Sequence, residues 1–260
     1  MKSIVVTGAS AGIGAAMARR LGREGHNLVL AARRAKELAD VAAESGTNVR
    51  TVVADVTRRE DVERLRDAAI DAFGSVDVWI NNAGRGITRS VLDLSDDDFD
   101  EMMRVNVKSA LYGMQAIVPY FLQRGRGHLI NISSFLGRVP IAAHRSAYNA
   151  AKAALNALTA NLRADVAGKG VDVSLVMPGL VATEFARNVI GTPSAHPPQW
   201  TPALSAAEGP NAAMKPQTAE EVADAVAALI DHPRAEVYTN PASPEIARRW
   251  FEQLAPDTKA

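Results

Sequence analysis

Short apolar runs alternate with amphipathic stretches along nearly the whole chain, and this rhythm restricts the fold more than any other feature. The runs read as strands are Ser3–Thr7, Asn27–Ala31, Val49–Ala54, Val76–Asn81, His128–Ser133 and Val171–Met177, with a further one at Glu236–Thr239. Each is rich in Val, Ile or Leu and nearly continuous in apolar character, as expected of strands buried on both faces. Strand-then-helix alternation of this kind builds βαβ units and a parallel sheet. The expected fold is α/β: a doubly wound parallel sheet of about seven strands with helices on both faces, in a single domain spanning 1–260.

The helices carry their own signals. Ala11–Gly22 is rich in small residues. Arg59–Phe73 places Val62, Leu65, Ala69, Ile70 and Phe73 on one helical face. Ser95 reads as an N-cap, with Asp96, Asp97 and Asp98 in a first turn where the helix dipole favours acids. That helix is expected to run from Asp97 to Gln123. Another is expected over Ser146–Gly168, and Thr218 with Glu221 forms a capping-box pattern opening Ala219–Asp231. The segment Gly191–Pro216 breaks the rhythm with six prolines and no periodicity. It is too long for a simple connection, so residues 184–216 are expected to form a substrate lid.

Composition narrows the function. The 260 residues hold 29 Lys and Arg against 29 Asp and Glu, a balance that argues against nucleic acid or an anionic membrane as the main partner. There is no Cys, which excludes disulfides, thiolate nucleophiles and Cys-ligated metals. No apolar run approaches the length of a bilayer span, and the expected location is cytoplasmic.

Thr7-Gly8-Ala9-Ser10-Ala11-Gly12-Ile13-Gly14 follows the first strand and opens the first helix. Glycines in such a turn let backbone N–H groups approach a pyrophosphate, and the helix N-terminus adds partial positive charge. A tight turn with no ligand has the same spacing; the position between a buried strand and a helix favours the nucleotide site. The end of the second strand selects the nucleotide. NAD sites place an Asp or Glu there for the ribose hydroxyls. Here the chain reads Leu30-Ala31-Ala32-Arg33-Arg34, without an acid and with two guanidinium groups suited to a 2′-phosphate. NADP(H) is therefore the expected cofactor.

Tyr148 and Lys152 are four residues apart in an expected helix and so share a face. A neighbouring ammonium and a nicotinium would lower the tyrosine pKa and make it usable as general acid or base.

Gly8-x-x-x-Gly12-x-Gly14, Asn81-Asn82-Ala83-Gly84, Asn106, Ser134, Tyr148-x-x-x-Lys152 and Pro178-Gly179-Leu180-Val181-Ala182-Thr183 occur in one order. That ordered set resembles the short-chain dehydrogenase/reductase family over about Lys2 to Phe185. The resemblance implies a Rossmann-like fold and a hydride transfer between nicotinamide and a small carbonyl or secondary alcohol. It implies that Gly8, Ser10, Gly12, Ile13 and Gly14 line the pyrophosphate, that Arg33 with Arg34 takes the 2′-phosphate, and that Asp55 and Val56 contact the adenine. Asn82, Ala83 and Gly84 would back the ribose and steady the sheet centre. Ser134 would hold the substrate oxygen near Tyr148, and Lys152 would bind the nicotinamide ribose. Asn106 would hold a water in a proton path through Lys152. Pro178, Gly179, Val181 and Thr183 would seat the nicotinamide. Ser134 lies one residue farther from Tyr148 than is usual in the family, so Ser133 stands as the alternative. The resemblance further implies a homotetramer or homodimer packed through the Asp97–Gln123 and Ser146–Gly168 helices.

Other features give less. The five His show no metal-ligand spacing, and no metal is expected. His144 is expected to be a solvated loop residue, and Trp200, Trp250 and Phe251 packing residues. Two rival functions remain: an NAD-linked alcohol dehydrogenase of the same family, and a non-catalytic nucleotide sensor on the same fold.

Overall fold

The computed structural model describes residues 1–142, 144–183, 185, 189–191 and 214–254. Its strands are β1 (Ser3–Thr7), β2 (Asn27–Ala32), β3 (Val49–Val53), β4 (Val78–Asn81), β5 (Gly127–Ile132), β6 (Val171–Met177) and β7 (Glu236–Tyr238). They form one sheet in the order β3-β2-β1-β4-β5-β6-β7, with every pairing parallel. The winding reverses between β1 and β4, which opens a crevice at the carboxyl ends of those strands. The helices are α1 (Gly12–Arg23), α2 (Ala35–Glu44), α3 (Arg59–Phe73), α4 (Asp96–Met103), α5 (Ser109–Arg124), α6 (Ser146–Asp165), α7 (Ala219–Asp231) and α8 (Ser243–Leu254).

Strand alternation divides the core into two layers. Ile4, Val6, Leu28 and Leu30 point to one face, against Leu21 of α1, Leu38 of α2 and Val226 and Leu229 of α7. Val5, Val29, Trp79 and Leu129 point to the other, against Leu65 of α3, Phe121 of α5 and Leu155 of α6. Ser95 caps α4 by accepting from the Asp98 N–H at 3.1 Å, and both halves of the Thr218–Glu221 box are present at α7.

Three expectations are corrected. β3 is an edge strand in which Val49 and Val52 are half-buried and Arg50, Thr51 and Val53 are exposed; its Arg50 places charge on the edge, a usual guard against edge pairing. The helix expected over Asp97–Gln123 is two helices joined by a π-helical turn at Arg104–Lys108. Apolar periodicity cannot reveal such a turn, because one inserted residue leaves the average pattern nearly unchanged. The helix expected to reach Gly168 ends at Asp165, and Gly168 and Gly170 follow with φ of 72° and 74°. Helices α2 and α8 were not delimited from sequence.

A chain of buried polar groups crosses the interior between β4, β5 and α6. Trp79 Nε1 donates to Asn81 Oδ1 at 2.8 Å, and Asn81 Nδ2 donates to Asn131 Oδ1 at 2.9 Å. Asn131 Nδ2 donates to Thr159 Oγ1 at 2.9 Å, and that hydroxyl donates to the Leu155 carbonyl at 2.7 Å. Among the described residues, no helix is long and apolar enough to cross a membrane.

Candidate active site

A cavity of about 620 Å³ runs over the carboxyl ends of β1, β4, β5 and β6. Its floor at one end is the glycine turn. Gly8 and Gly12 have φ of 67° and 55°, in the left-handed region that side chains resist. Ala11, the N-cap of α1, provides no side-chain cap, so the first N–H groups of the helix are left for another acceptor. Asn82 braces the turn from β4: its Nδ2 donates to the carbonyls of Thr7 at 2.9 Å and Gly8 at 3.3 Å. Thr7 Oγ1 in turn accepts from the N–H groups of Asn82 and Ala83. Gly8, Ser10, Gly12, Ile13, Gly14, Asn82, Ala83 and Gly84 all line the cavity.

At the far side of this turn lie Ala32, Arg33, Arg34, Asp55 and Val56. The two arginines differ. Arg34 donates to Ser10 Oγ at 3.1 Å and to the Ser10 carbonyl at 3.3 Å, so it steadies the turn. Arg33 is exposed and makes no hydrogen bond or ion pair among the described residues. Burial pushes the Asp55 carboxyl up, but the Thr57 hydroxyl at 2.7 Å, the Thr57 N–H at 3.0 Å and the charge of Arg33 outweigh it and hold it below the ordinary value.

The other end holds Ser134, Tyr148 and Lys152. Tyr148 and Lys152 project from α6, with Lys152 Nζ 5.8 Å from the Tyr148 ring centre and bonded to the Ile132 carbonyl at 3.0 Å. Ser134 lies close enough to the Tyr148 phenol to lower its pKa, and it caps the short 3-10 turn Phe135–Gly137 by accepting from the Leu136 N–H. Ser133 turns its hydroxyl to Asn156 Oδ1 at 2.5 Å, beneath α6. The Ser133 hydroxyl is thus occupied by Asn156, and it is the Ser134 hydroxyl that acts on the Tyr148 phenol.

Burial raises the Tyr148 pKa; the neighbouring Ser134 hydroxyl and the charge of Arg145 pull the other way. Burial also lowers the Lys152 pKa, to about 8. Asn106 lies in the π-helical turn, behind Gly84. Its Nδ2 donates to the carbonyls of Arg85 at 2.9 Å and Met102 at 3.1 Å, and its Oδ1 accepts from the Arg85 N–H. The side chain thus braces the Gly84–Arg85 loop from behind the cavity. Pro178, Gly179, Val181 and Thr183 form the wall after β6, and Thr183 sits opposite Gly12.

Comparison with known proteins gives this arrangement a lineage. A family model described as short chain dehydrogenase matches residues 2–193. An uncharacterized oxidoreductase of Staphylococcus epidermidis is 38% identical over 70% of this chain and 79% of its own length. An alcohol dehydrogenase of Thermococcus sibiricus, solved with 5-hydroxy-NADP, matches with a TM-score of 0.76 at 28% identity, covering 92% of this chain and 96% of the other. A short-chain dehydrogenase/reductase of Burkholderia phymatum, solved with NAD, matches with a TM-score of 0.83 at 29% identity, covering 97% and 94%. The chain is a short-chain dehydrogenase/reductase.

This short-chain dehydrogenase/reductase is therefore an oxidoreductase, and its cavity holds two residues that sequence reasoning set aside or missed. His144 is half-buried against the cavity with Nδ1 unpartnered, not solvated as expected. Burial lowers its pKa. Arg145 lies beside it, three residues before Tyr148. The signal was available: residues one turn upstream of Tyr148 on the same helical face must flank it. Trp250 packs on the small cluster around Phe135, whereas Phe251 is exposed. Most of the lid expected at 184–216, with Trp200, lies outside the described residues. Among the described residues, no cluster of His, Asp or Glu could hold a metal ion.

Lys152 gives the enzyme a measurable weakness before any ligand binds. Its folded-state pKa is depressed to about 8, against an unfolded value near 10.4. Between those values the unfolded chain binds more protons, so stability rises as pH rises through this window. Below pH 8 the whole cost is present, on the order of 3 kcal/mol. Lys152→Met in the ligand-free protein is expected to be more stable than the parent by about 1–3 kcal/mol at pH 7. Its advantage should shrink toward pH 10. Urea midpoints of the two proteins across this range check it; a constant difference would count against the shift.

Proposed function

We propose that this oxidoreductase reduces a carbonyl to a secondary alcohol, or the reverse, with NADP(H), and that Tyr148 transfers the proton. The observation that carries the reading is the convergence of Ser134, Tyr148 and Lys152 in the same cavity as the glycine turn. The residues present fit a phosphorylated dinucleotide. Uncapped N–H groups of α1 face a cradle that Gly8 and Gly12 keep free of Cβ atoms; Ala32 stands where NAD sites place an acid, and Arg33 beside it makes no ion pair among the described residues. When bound, the nicotinamide supplies or accepts the hydride.

The chain's own groups do the rest. Ser134 donates to the substrate oxygen and fixes it against the phenol. Tyr148 gives that oxygen its proton in reduction and takes it back in oxidation. Its raised pKa keeps the proton in place at neutral pH, which suits the acid role. Lys152 holds the ribose from below and Asn106 positions the loop beside it.

Arg33 is expected to set the cofactor preference. Arg33→Ala should raise the NADPH KM by roughly ten- to a hundredfold, the scale of a lost charge-assisted hydrogen bond, with little change for NADH. Adding Ala32→Asp should turn preference toward NADH. Steady-state kinetics with both cofactors test this, and parent efficiency with NADH equal to that with NADPH would overturn it.

A further inference from the structure

The cavity carries more positive charge than its dinucleotide end accounts for. Arg33, Arg34, Arg85, Arg145 and Lys152 line it, against Asp55 as the acid among the described residues. The chain as a whole is balanced at 29 against 29, so this excess is local. Arg33 and Arg34 belong to the adenine end, and Arg85 reaches Glu101 at 3.6 Å. Arg145 remains, at the Tyr148 end.

Arg145 is half-buried and has no acidic partner among the described residues. Its side-chain contact is a long hydrogen bond of 3.4 Å to the Ile87 carbonyl, which occupies one of five N–H donors. A guanidinium withdrawn from water without an anion is costly, and the burial lowers its pKa. Next to it, His144 Nδ1 is buried with no hydrogen-bond partner. Two adjacent residues thus bring unused hydrogen-bonding capacity to the cavity wall beside the group that protonates the substrate. The surrounding wall of Leu136, Ile141 and Phe185 is apolar.

We propose that Arg145, assisted by His144, binds a carboxylate of the substrate, so that this enzyme prefers short oxo acids or hydroxy acids to neutral ketones or alcohols. The inference rests on the reading that Tyr148 protonates the substrate carbonyl. One guanidinium and one neutral imidazole match a single negative charge. A phosphate dianion would call for a second cation. The planar fork of arginine pairs with both carboxylate oxygens at once, which also fixes the orientation of the carbonyl relative to Tyr148.

The test compares pyruvate, acetoacetate and levulinate, each against its methyl ester, which presents the same ketone without the charge. With the parent enzyme, at least one acid should exceed its ester in kcat/KM. Arg145→Met should lower that acid-to-ester ratio about a hundredfold, and Arg145→Lys should restore part of it. A purely structural role for Arg145 would move acid and ester together and leave the ratio unchanged, which overturns the proposal. Calorimetric binding of the same acids to the cofactor-loaded protein gives a readout apart from turnover. Acids that bind the parent but not Arg145→Met, with no carbonyl reduced, would uphold the anion site and defeat the reductase reading. Esters reduced as well as acids, with no carboxylate bound, would do the reverse.

Discussion

Tyr148→Phe is expected to lower kcat for carbonyl reduction by at least about a hundredfold, the usual scale of a lost general acid. Cofactor affinity should stay within a few-fold of the parent. The ring keeps its place because its packing does not depend on the hydroxyl: Tyr148 meets Phe185 edge-on, with centroids 5.8 Å apart. Ser134 also keeps its bond from the Leu136 N–H and so does not lose its orientation. The deletion therefore removes a proton and little else. Single-turnover rates with NADPH, together with cofactor titration by fluorescence, separate the two quantities. Near-parental turnover in this variant would show the proposed acid to be wrong while leaving the fold untouched.

Gly14→Ala is expected to be the most damaging single methyl group that could be added to the cofactor turn. In an ordinary helix the change would stabilise by about 1 kcal/mol. Here the new Cβ would lie 2.3 Å from the Gly8 carbonyl oxygen and 2.7 Å from Asn82 Nδ2. Neither can retreat, since that carbonyl and that amide are bonded to each other as the brace between β1 and β4. The steric cost should dominate, with a loss of more than about 3 kcal/mol or failure to fold. Gly12→Ala is the control: its Cβ would meet Thr183 no closer than 3.5 Å, leaving mainly the backbone penalty of its φ, about 1–2 kcal/mol. Urea denaturation of both variants checks the order, and equal losses would contradict it.

Much of this architecture was legible because its signals are local. Residues 59–73 and 219–231 form helices with the expected ends, since Gly74 in the left-handed region stops the first and the Thr218 box starts the second. All seven strands stand within two residues of the apolar runs at both ends, yet the exposure of β3 shows why apolarity alone misleads. A Val-rich run says that a strand can be buried, but its place at the sheet edge is decided by topology. The π-helical turn left no trace in the periodicity. The site shows the same division. Gly8, Ser134, Tyr148 and Lys152 converge as their order implied, because strand ends and one helix face bring them together. What the order could not say is how each side chain is occupied. Arg34 is drawn back to Ser10, Asn106 is taken up by Arg85, and Arg145 is left facing the phenol. Those outcomes depend on contacts between segments far apart in sequence.

The buried chain from Trp79 through Asn81 and Asn131 to Thr159 has a consequence for how the catalytic helix can move. A helix resting on apolar side chains alone can slide by fractions of an ångström at small cost, because dispersion contacts fade gradually. Hydrogen bonds in a dry interior do not fade in that way. A displacement of α6 along the sheet would orphan the Asn131 Nδ2 donor, whose acceptor is the Thr159 hydroxyl, at about 1–3 kcal/mol. The helix therefore sits in a detent: it holds one position or it jumps. Tyr148 and Lys152 ride on that helix two to three turns upstream, so their distance from the sheet is indexed rather than tuned. Substitutions that soften the outer surface of α6 can accumulate without blurring the geometry of the proton donor.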